Sequence, residues 1–408
     1  MRRYYRRNLH LMKNNFRIIL LASICFVLGT SEYVIVGVLD KIALSSDITL
    51  AQAGQLISVF ALTVAVGTPI IMSFVSRFNQ KKTLMGALSL VIVSCIMMTV
   101  FSNYYMLLLS RMVMATGVGV FNVICFVVAT KMAKADRKGA AVATITLGFN
   151  AALIIGLPIG RIITNALGWK AIFFFTASLS FLAIFAVFRF IPSFNGEPPT
   201  PFREQIKLLK KNTIILSLVT SFFWILGYGH LYTYITPYLQ HTIAIDDKLL
   251  STVFLIFGIA TLLGNRTGGF LGDKIGVMKT VLISLSVNAI TLIVMSSFAG
   301  HSFPVIPLLV LWGMAAWTPG PLFRFGIIEQ APRSPSVILS IYNSIVQFGM
   351  ATGAALGGFE IEHLPTKTLG WTSAIFISLS LLFAYLFSLK SNRKTEAAMQ
   401  KHAKEAIA

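Results

Sequence analysis

The chain has 408 residues, of which 56% are hydrophobic and only 12% charged, and its mean hydropathy is +0.79. This balance excludes a soluble globular domain of that size. A formal net charge of +20 would point to nucleic acid in a soluble protein, so the placement of the charges decides what the number means.

Runs of about 20 apolar residues, the length an α-helix needs to cross roughly 30 Å of hydrocarbon, recur along nearly the whole chain. The predicted helices span 16–38, 51–75, 83–101, 104–132, 139–167 and 171–190, then 213–239, 249–270, 280–298, 303–328, 336–359 and 371–389. The fourth and fifth are long enough to tilt or project beyond the bilayer. With the N-terminus taken as cytoplasmic, 26 of the 34 Lys and Arg residues fall inside and only Lys41, Lys170, Lys248 and Lys367 outside; Arg111, Arg161, Arg266 and Arg324 lie within spans. This asymmetry places both termini in the cytoplasm, so the basicity reports topology, and the partner is the lipid bilayer rather than nucleic acid. A basic N-terminus before an apolar run also suits a secretory signal, but the run is long and no A-x-A-like site follows it, so it reads as an uncleaved first helix. Cys25, Cys95 and Cys125 lie inside spans, far from any C-x-x-C spacing, and read as small buried apolar residues.

The longest polar interval, 191–212, reads IPSFNGEPPTPFREQIKLLKKN. Its prolines cannot continue a helix, and FREQIKLLKK suits a short amphipathic helix on the inner membrane surface. The interval divides the chain into a basic segment 1–15, a six-helix bundle 16–190, the central loop 191–212, a second six-helix bundle 213–389 and a tail 390–408. The halves echo one another. Leu167-Gly168-Trp169 before Ile172-Phe173 recurs as Leu369-Gly370-Trp371 before Ile375-Phe376, and SFVSRFNQKKTL from Ser73 corresponds to GFLGDKIGVMKTVL from Gly269. Such duplication marks a transporter built from repeats, with its site between them near the midplane. The expected fold is an all-α membrane protein of twelve transmembrane helices in two pseudo-symmetric halves.

At these residues the chain resembles the major facilitator superfamily over nearly its whole length. Gly269 to Gly276, GFLGDKIG, fits the superfamily's loop signature G-x-L-x-D-R/K-x-G. Its glycines permit a tight turn and close helix contact, while Asp273 can pair with a cation or cap a helix end. Gly269, Asp273, Lys274 and Gly276, with Arg266 near Asp273, are the expected inner gate. The first-half copy has Ser76 where the aspartate belongs and Asn79 where the second glycine belongs. Arg111, in LLLSRMVMATGVG, matches the arginine of the family's fourth helix, and Gly148-Phe149-Asn150 with Gly156-Leu157-Pro158-Ile159-Gly160 is similar to the fifth-helix motif of proton-linked exporters. GTSEYVIVGVLDKI, AGQLISVFAL, GLPIG and ALGWKAIFF resemble the drug:proton antiporter branch that contains sugar-efflux and purine-efflux permeases. The chain departs from that branch at Asp40, where proline is usual, and at Arg161, where a small or hydroxyl residue is usual. The resemblance implies a proton-coupled exporter of a small organic solute, monomeric, without a cofactor, in the plasma membrane.

Ionisable groups at membrane depth cost about 2.5–3.5 kcal/mol on insertion scales, so each is a functional candidate. Glu32 is the only carboxylate well inside a predicted span, and the 1.5 Å rise per residue sets it at about the depth of Arg111 and Arg161. Desolvation favours the protonated carboxyl and an arginine neighbour favours the carboxylate, so a partner that comes and goes makes a proton switch. A permanent pair that staples two helices is the alternative. Glu32 and Arg111 are therefore the expected proton-coupling residues. The seventh span, FFWILGYGHLYTYITPYL, offers Trp224, His230 and Tyr232 to a planar or amphipathic solute, with an interfacial belt the better reading for Tyr234 and Tyr238. Arg161 and Arg324, which could instead snorkel, complete the expected cavity with Asn122, Asn150, Asn343 and Gln347, amides that equally suit helix-to-helix hydrogen bonds. One acid against several buried bases favours a neutral-to-anionic solute. A purine or sugar follows from the resemblance and an anionic metabolite or metallophore from the charge; a multidrug pump and a non-transporting membrane sensor are the rivals. The sequence carries no P-loop, no nucleophile–base group and no metal-ligand cluster, so an enzyme is not expected.

Overall fold

The computed structural model describes residues 2–134, 137–196, 211–243, 247–298, 305–331 and 335–407. Among them twelve helices are long and apolar enough to cross a membrane: α1 Asn14–Ser45, α2 Leu50–Val75, α3 Gln80–Val100, α4 Tyr104–Met132, α5 Lys138–Leu167, α6 Lys170–Phe190, α7 Asn212–Tyr232, α8 Leu249–Ile275, α9 Val277–Ser297, α10 Ile306–Gln330, α11 Val337–His363 and α12 Thr368–Lys390. The start of α1 and the end of α12 share one side of the molecule, the near side; the opposite side is the far side. The amphipathic segment expected in the central loop lies outside the described residues.

Several helices overrun their apolar runs. The first continues through a break at Val38 (φ −128°, ψ 16°) to Ser45, and α11 reaches His363, which brings Glu360 inside the fold. The seventh instead ends at Tyr232, and a separate short helix, Ile235–Ile243, follows it.

The sequence repeat is also a repeat of contacts. Helix α1 packs on α5 as α7 packs on α11, and α3 packs on α4 and α6 as α9 packs on α10 and α12. Glycine lets two of these pairs meet at backbone distance: a Cβ on Gly148 would lie 2.2 Å from the Ala22 carbonyl oxygen, and one on Gly353 2.4 Å from that of Leu226. The repeated Gly-Trp does two different jobs. Gly168 (φ 82°) turns the chain between α5 and α6 and buries Trp169, whose Nε1 donates to Ser45 Oγ at 2.6 Å. Gly370, by contrast, lies within α12 against Ser296, and Trp371 is 42% exposed.

The two halves meet through α2 with α11, through the pseudo-symmetric pair α5 with α8, and through α1 with helix Ile235–Ile243. These contacts come from the far-side parts of α2 and α5, whereas Thr68–Val75 of α2 and Lys138–Ala151 of α5 make no comparable contact with the opposite half. Between the two parts each helix widens into a π turn, Thr63–Gly67 and Ala152–Gly156, just ahead of Pro69 and Pro158. Proline has no N–H to give and crowds the preceding turn, so the widening is where these helices can bend. Among the described residues, the path between the halves is sealed on the far side and parted on the near side.

Candidate functional site

Helix α4 carries Arg111 into the far half of the first bundle, where it is fully buried. Its Nη1 donates to the Ser31 carbonyl of α1 at 3.2 Å and contacts Met114 Sδ at 3.1 Å, Nε donates to the Leu56 carbonyl of α2 at 3.3 Å, and the guanidinium lies 4.3 Å from the Phe60 ring centroid. One residue beyond Ser31, the half-buried Glu32 feels the charge of Arg111. Among the described residues, however, the Glu32 carboxylate has no ion pair or hydrogen bond. The arginine is committed to the backbone and the carboxylate is not committed to it.

Tyr33, next along α1, is within electrostatic reach of Glu32, of Tyr232 on α7 and of Arg324 on α10, and Arg324 also lies beside Tyr342 on α11. Side chains of both halves therefore converge on one region of the interior. Its second-half wall is aromatic: Tyr228 stacks on Tyr232 (centroids 4.8 Å apart) and on Trp312 (5.7 Å), and Trp224 packs against Trp317 and Phe323 with Nε1 donating to the Ala316 carbonyl at 2.7 Å. Trp312 Nε1 and, from α4, Asn122 Oδ1 are buried polar atoms without a hydrogen-bond partner among the described residues. Asn150 and Gln347 are half-buried, while Asn343 and Arg324 are exposed. Tyr33, Trp312 and Trp317 were not anticipated as site residues; the ring density of LWGMAAWTPG on α10 was the available signal.

Two expected cavity residues lie elsewhere. His230 is fully buried against α12 and α11, with Nδ1 3.0 Å from Ser373 Oγ and its ring edge-on to Phe376. Its Nε2 lies 3.1 Å from Glu360 Oε2, an electrostatic contact rather than an aligned hydrogen bond, and Glu360 Oε1 accepts from Thr372 Oγ1 at 3.0 Å. This is a joint among three helices, and it supplies a second membrane carboxylate that the predicted eleventh span stopped short of. Arg161, expected at the depth of Glu32, does not pair with it: the buried guanidinium forks onto Asp40, Nη1 to Oδ1 at 2.7 Å and Nη2 to Oδ2 at 3.1 Å.

On the near side, Gly276 (φ 95°) turns α8 into α9, and Arg266, Asp273 and Lys274 are exposed. Arg266 and Asp273 do not pair with each other in this conformation. In the first-half copy, Asn79 caps α3 by accepting from the Lys81 and Lys82 amides and donates to Ser193 Oγ at 2.5 Å, while the Gln80 amide donates to the Phe194 carbonyl at 2.9 Å. The residue that replaces a glycine thus ties this loop to the start of the central segment.

The family model of the Major Facilitator Superfamily matches residues 21–246 and 217–407. The chain belongs to that superfamily. It is a multi-pass membrane transporter, in a family of carriers rather than enzymes. Among curated relatives it is 39% identical over 375 residues to the "Uncharacterized MFS-type transporter YbcL" of Bacillus subtilis (strain 168), covering 92% of this chain and 96% of that one. It is 26% identical over 378 residues to a "Probable sugar efflux transporter" of Mannheimia succiniciproducens, covering 93% and 95%. A solved D-xylose-proton symporter shares the fold, with a TM-score of 0.73 at 15% identity over 91% of this chain and 97% of that one.

Proposed function

We propose that the chain is a proton-driven exporter that moves a small organic solute outward while protons enter. The observation that carries this reading is Glu32, a carboxylate in the chamber between the halves with no ion pair or hydrogen bond among the described residues, beside an Arg111 held by backbone carbonyls. An ionised group without a permanent partner is costly to enclose, so a proton or a bound solute must answer its charge before the halves close around it. Exchange follows: a proton taken up on the far side lets the empty carrier return, and its release on the near side frees the chamber for solute.

The excess of Lys and Arg on the near side supports reading that side as the cytoplasm, with both termini in it. The name of the Mannheimia relative, a probable sugar efflux transporter, agrees with outward movement. Arg324 beside Tyr33 and the aromatic wall suit a solute that is planar or amphipathic and neutral or anionic, such as a purine, a sugar, an anionic metabolite or a metallophore. The chain is read as a monomer in the plasma membrane.

Metabolite profiling of culture medium with and without the protein, followed by proteoliposome transport of the solutes found, tests this reading. An imposed gradient, acidic on the far side, should drive accumulation there. Glu32→Gln should abolish that accumulation while solute-for-solute exchange continues. Accumulation by Glu32→Gln equal to wild type would overturn the proton role.

A further inference from the structure

At the break in α1, two neighbouring carbonyls accept side-chain hydrogen bonds: Val36 O from Thr236 Oγ1 at 2.9 Å and Gly37 O from Arg161 Nη1 at 2.6 Å. One turn on, Asp40 takes the Arg161 fork and also accepts from Gln240 Nε2 at 3.3 Å on Oδ2. Arg161 belongs to α5 of the first half, while Thr236 and Gln240 belong to helix Ile235–Ile243 of the second. A pocket of about 360 Å³ lies over this group, lined by Asp40, Asp47, Pro237, Gln240 and His241 among others.

We propose that Asp40, Arg161, Thr236 and Gln240 are the far-side gate of the transport path, with the Asp40–Arg161 pair fixed and the bonds from Thr236 and Gln240 breaking at each opening. The inference rests on the chain being a two-half carrier and not on proton coupling or the identity of the solute. Asp40 and Arg161 sit on packed helices of one half, which move together. Among the described residues, the groups that separate are a hydroxyl and an amide, whose bonds water can replace. Arg161 keeps Asp40 neutralised when Gln240 withdraws, so the gate opens without stranding a charge at the floor of the pocket. The two residues at which the chain departs from its branch are each other's partners, and together they turn the end of α1 into a latch surface.

The test is the labelling rate of Tyr33→Cys, a half-buried site on the near side of the latch, by a membrane-impermeant maleimide applied to the far side of reconstituted protein; the three native cysteines are buried. Folding is checked by equal near-side labelling of the exposed Lys274→Cys. The double variant Thr236→Val/Gln240→Leu should label several-fold faster from the far side than the parent. Arg161→Gln alone should also label faster, and adding Asp40→Asn should bring the rate back toward the parent. An unchanged or slower rate in the Thr236/Gln240 variant, or parental labelling by Arg161→Gln, would overturn the proposal. Because the readout is accessibility, loss of proton-coupled transport with the expected labelling pattern would count against the exporter reading and leave the gate standing.

Discussion

Arg111 and Glu32 differ in how firmly their surroundings hold them. Arg111 is fixed by two carbonyls, a thioether and a ring face, a set that only a planar fork with several donors can satisfy. Lysine, a point donor, cannot reproduce it. Arg111→Lys should therefore cut proton-driven efflux at least about tenfold, equivalent to ~1.4 kcal/mol of lost stabilisation. The double variant with Glu32→Gln should be no worse than Glu32→Gln alone, because residues acting as one unit are not additive; additive losses in a transport assay would show that the two act separately. The second buried carboxylate predicts a stability effect instead. Glu360→Ala leaves Thr372 without its acceptor and removes the carboxylate that His230 Nε2 faces at 3.1 Å, a cost of ~1–3 kcal/mol, and should lower the thermal midpoint in detergent. Glu360→Gln, which still accepts from Thr372, should lower it less. At this scale the sequence disclosed which residues were unusual but not whom they meet. Arg161, Glu32 and His230 stood out as polar groups in apolar surroundings, and Asp40 as a departure from the family resemblance. Pairing Asp40 with Arg161 requires a contact across 121 positions, which no local pattern encodes.

Helix count, helix order and the division into halves were legible because each rests on a local property: an apolar run of spanning length, or a polar interval that cannot cross. Helix ends were read less well for the same reason. Asp40 and Glu360 ended the apparent runs of α1 and α11, yet both helices continue, with the Arg161 guanidinium paired to Asp40 and the His230 ring 3.1 Å from Glu360. The π turns of α2 and α5 were invisible apart from the prolines behind them. Close helix contact makes a prediction at this scale. Gly353→Val would drive a side chain into the Leu226 carbonyl, which cannot rotate away, whereas Gly86 on α3 has nothing within 4 Å of an added Cβ. Overpacking of this kind costs ~1–3 kcal/mol or more. Gly86→Ala should be neutral or stabilising by ~0.5–1 kcal/mol, since alanine suits a helix interior better. The yield of folded protein after size-exclusion chromatography should fall for Gly353→Val and hold for Gly86→Ala; equal yields would mean the helix pair can separate without loss.

For the whole molecule, the distribution of contacts sets the direction of the next movement. The halves touch on the far side through α2 with α11 and α5 with α8 and part below the π turns, so far-side opening must bring the near-side ends of the two bundles together. Exposed Arg77, in the turn after α2, and exposed Lys274, near the turn between α8 and α9, stand at corresponding places in the two halves. Spin labels at Arg77→Cys and Lys274→Cys should therefore report a long separation in the reconstituted parent. In the Thr236→Val/Gln240→Leu background, which lacks two of the bonds holding the far side closed, a population with a shorter separation should appear. The two changes are coupled because each bundle packs through its own helix contacts and moves as a unit, so closing one end requires the other to part. A near-side distance that stays constant while far-side accessibility rises would mean that the latch releases helix Ile235–Ile243 alone, a local flap rather than a rocking of halves. The same pair of labels also tests the role of Glu32: neutralising its charge with Glu32→Gln should make the empty carrier easier to close and enlarge the short-distance population, because the chamber then encloses no unpaired carboxylate.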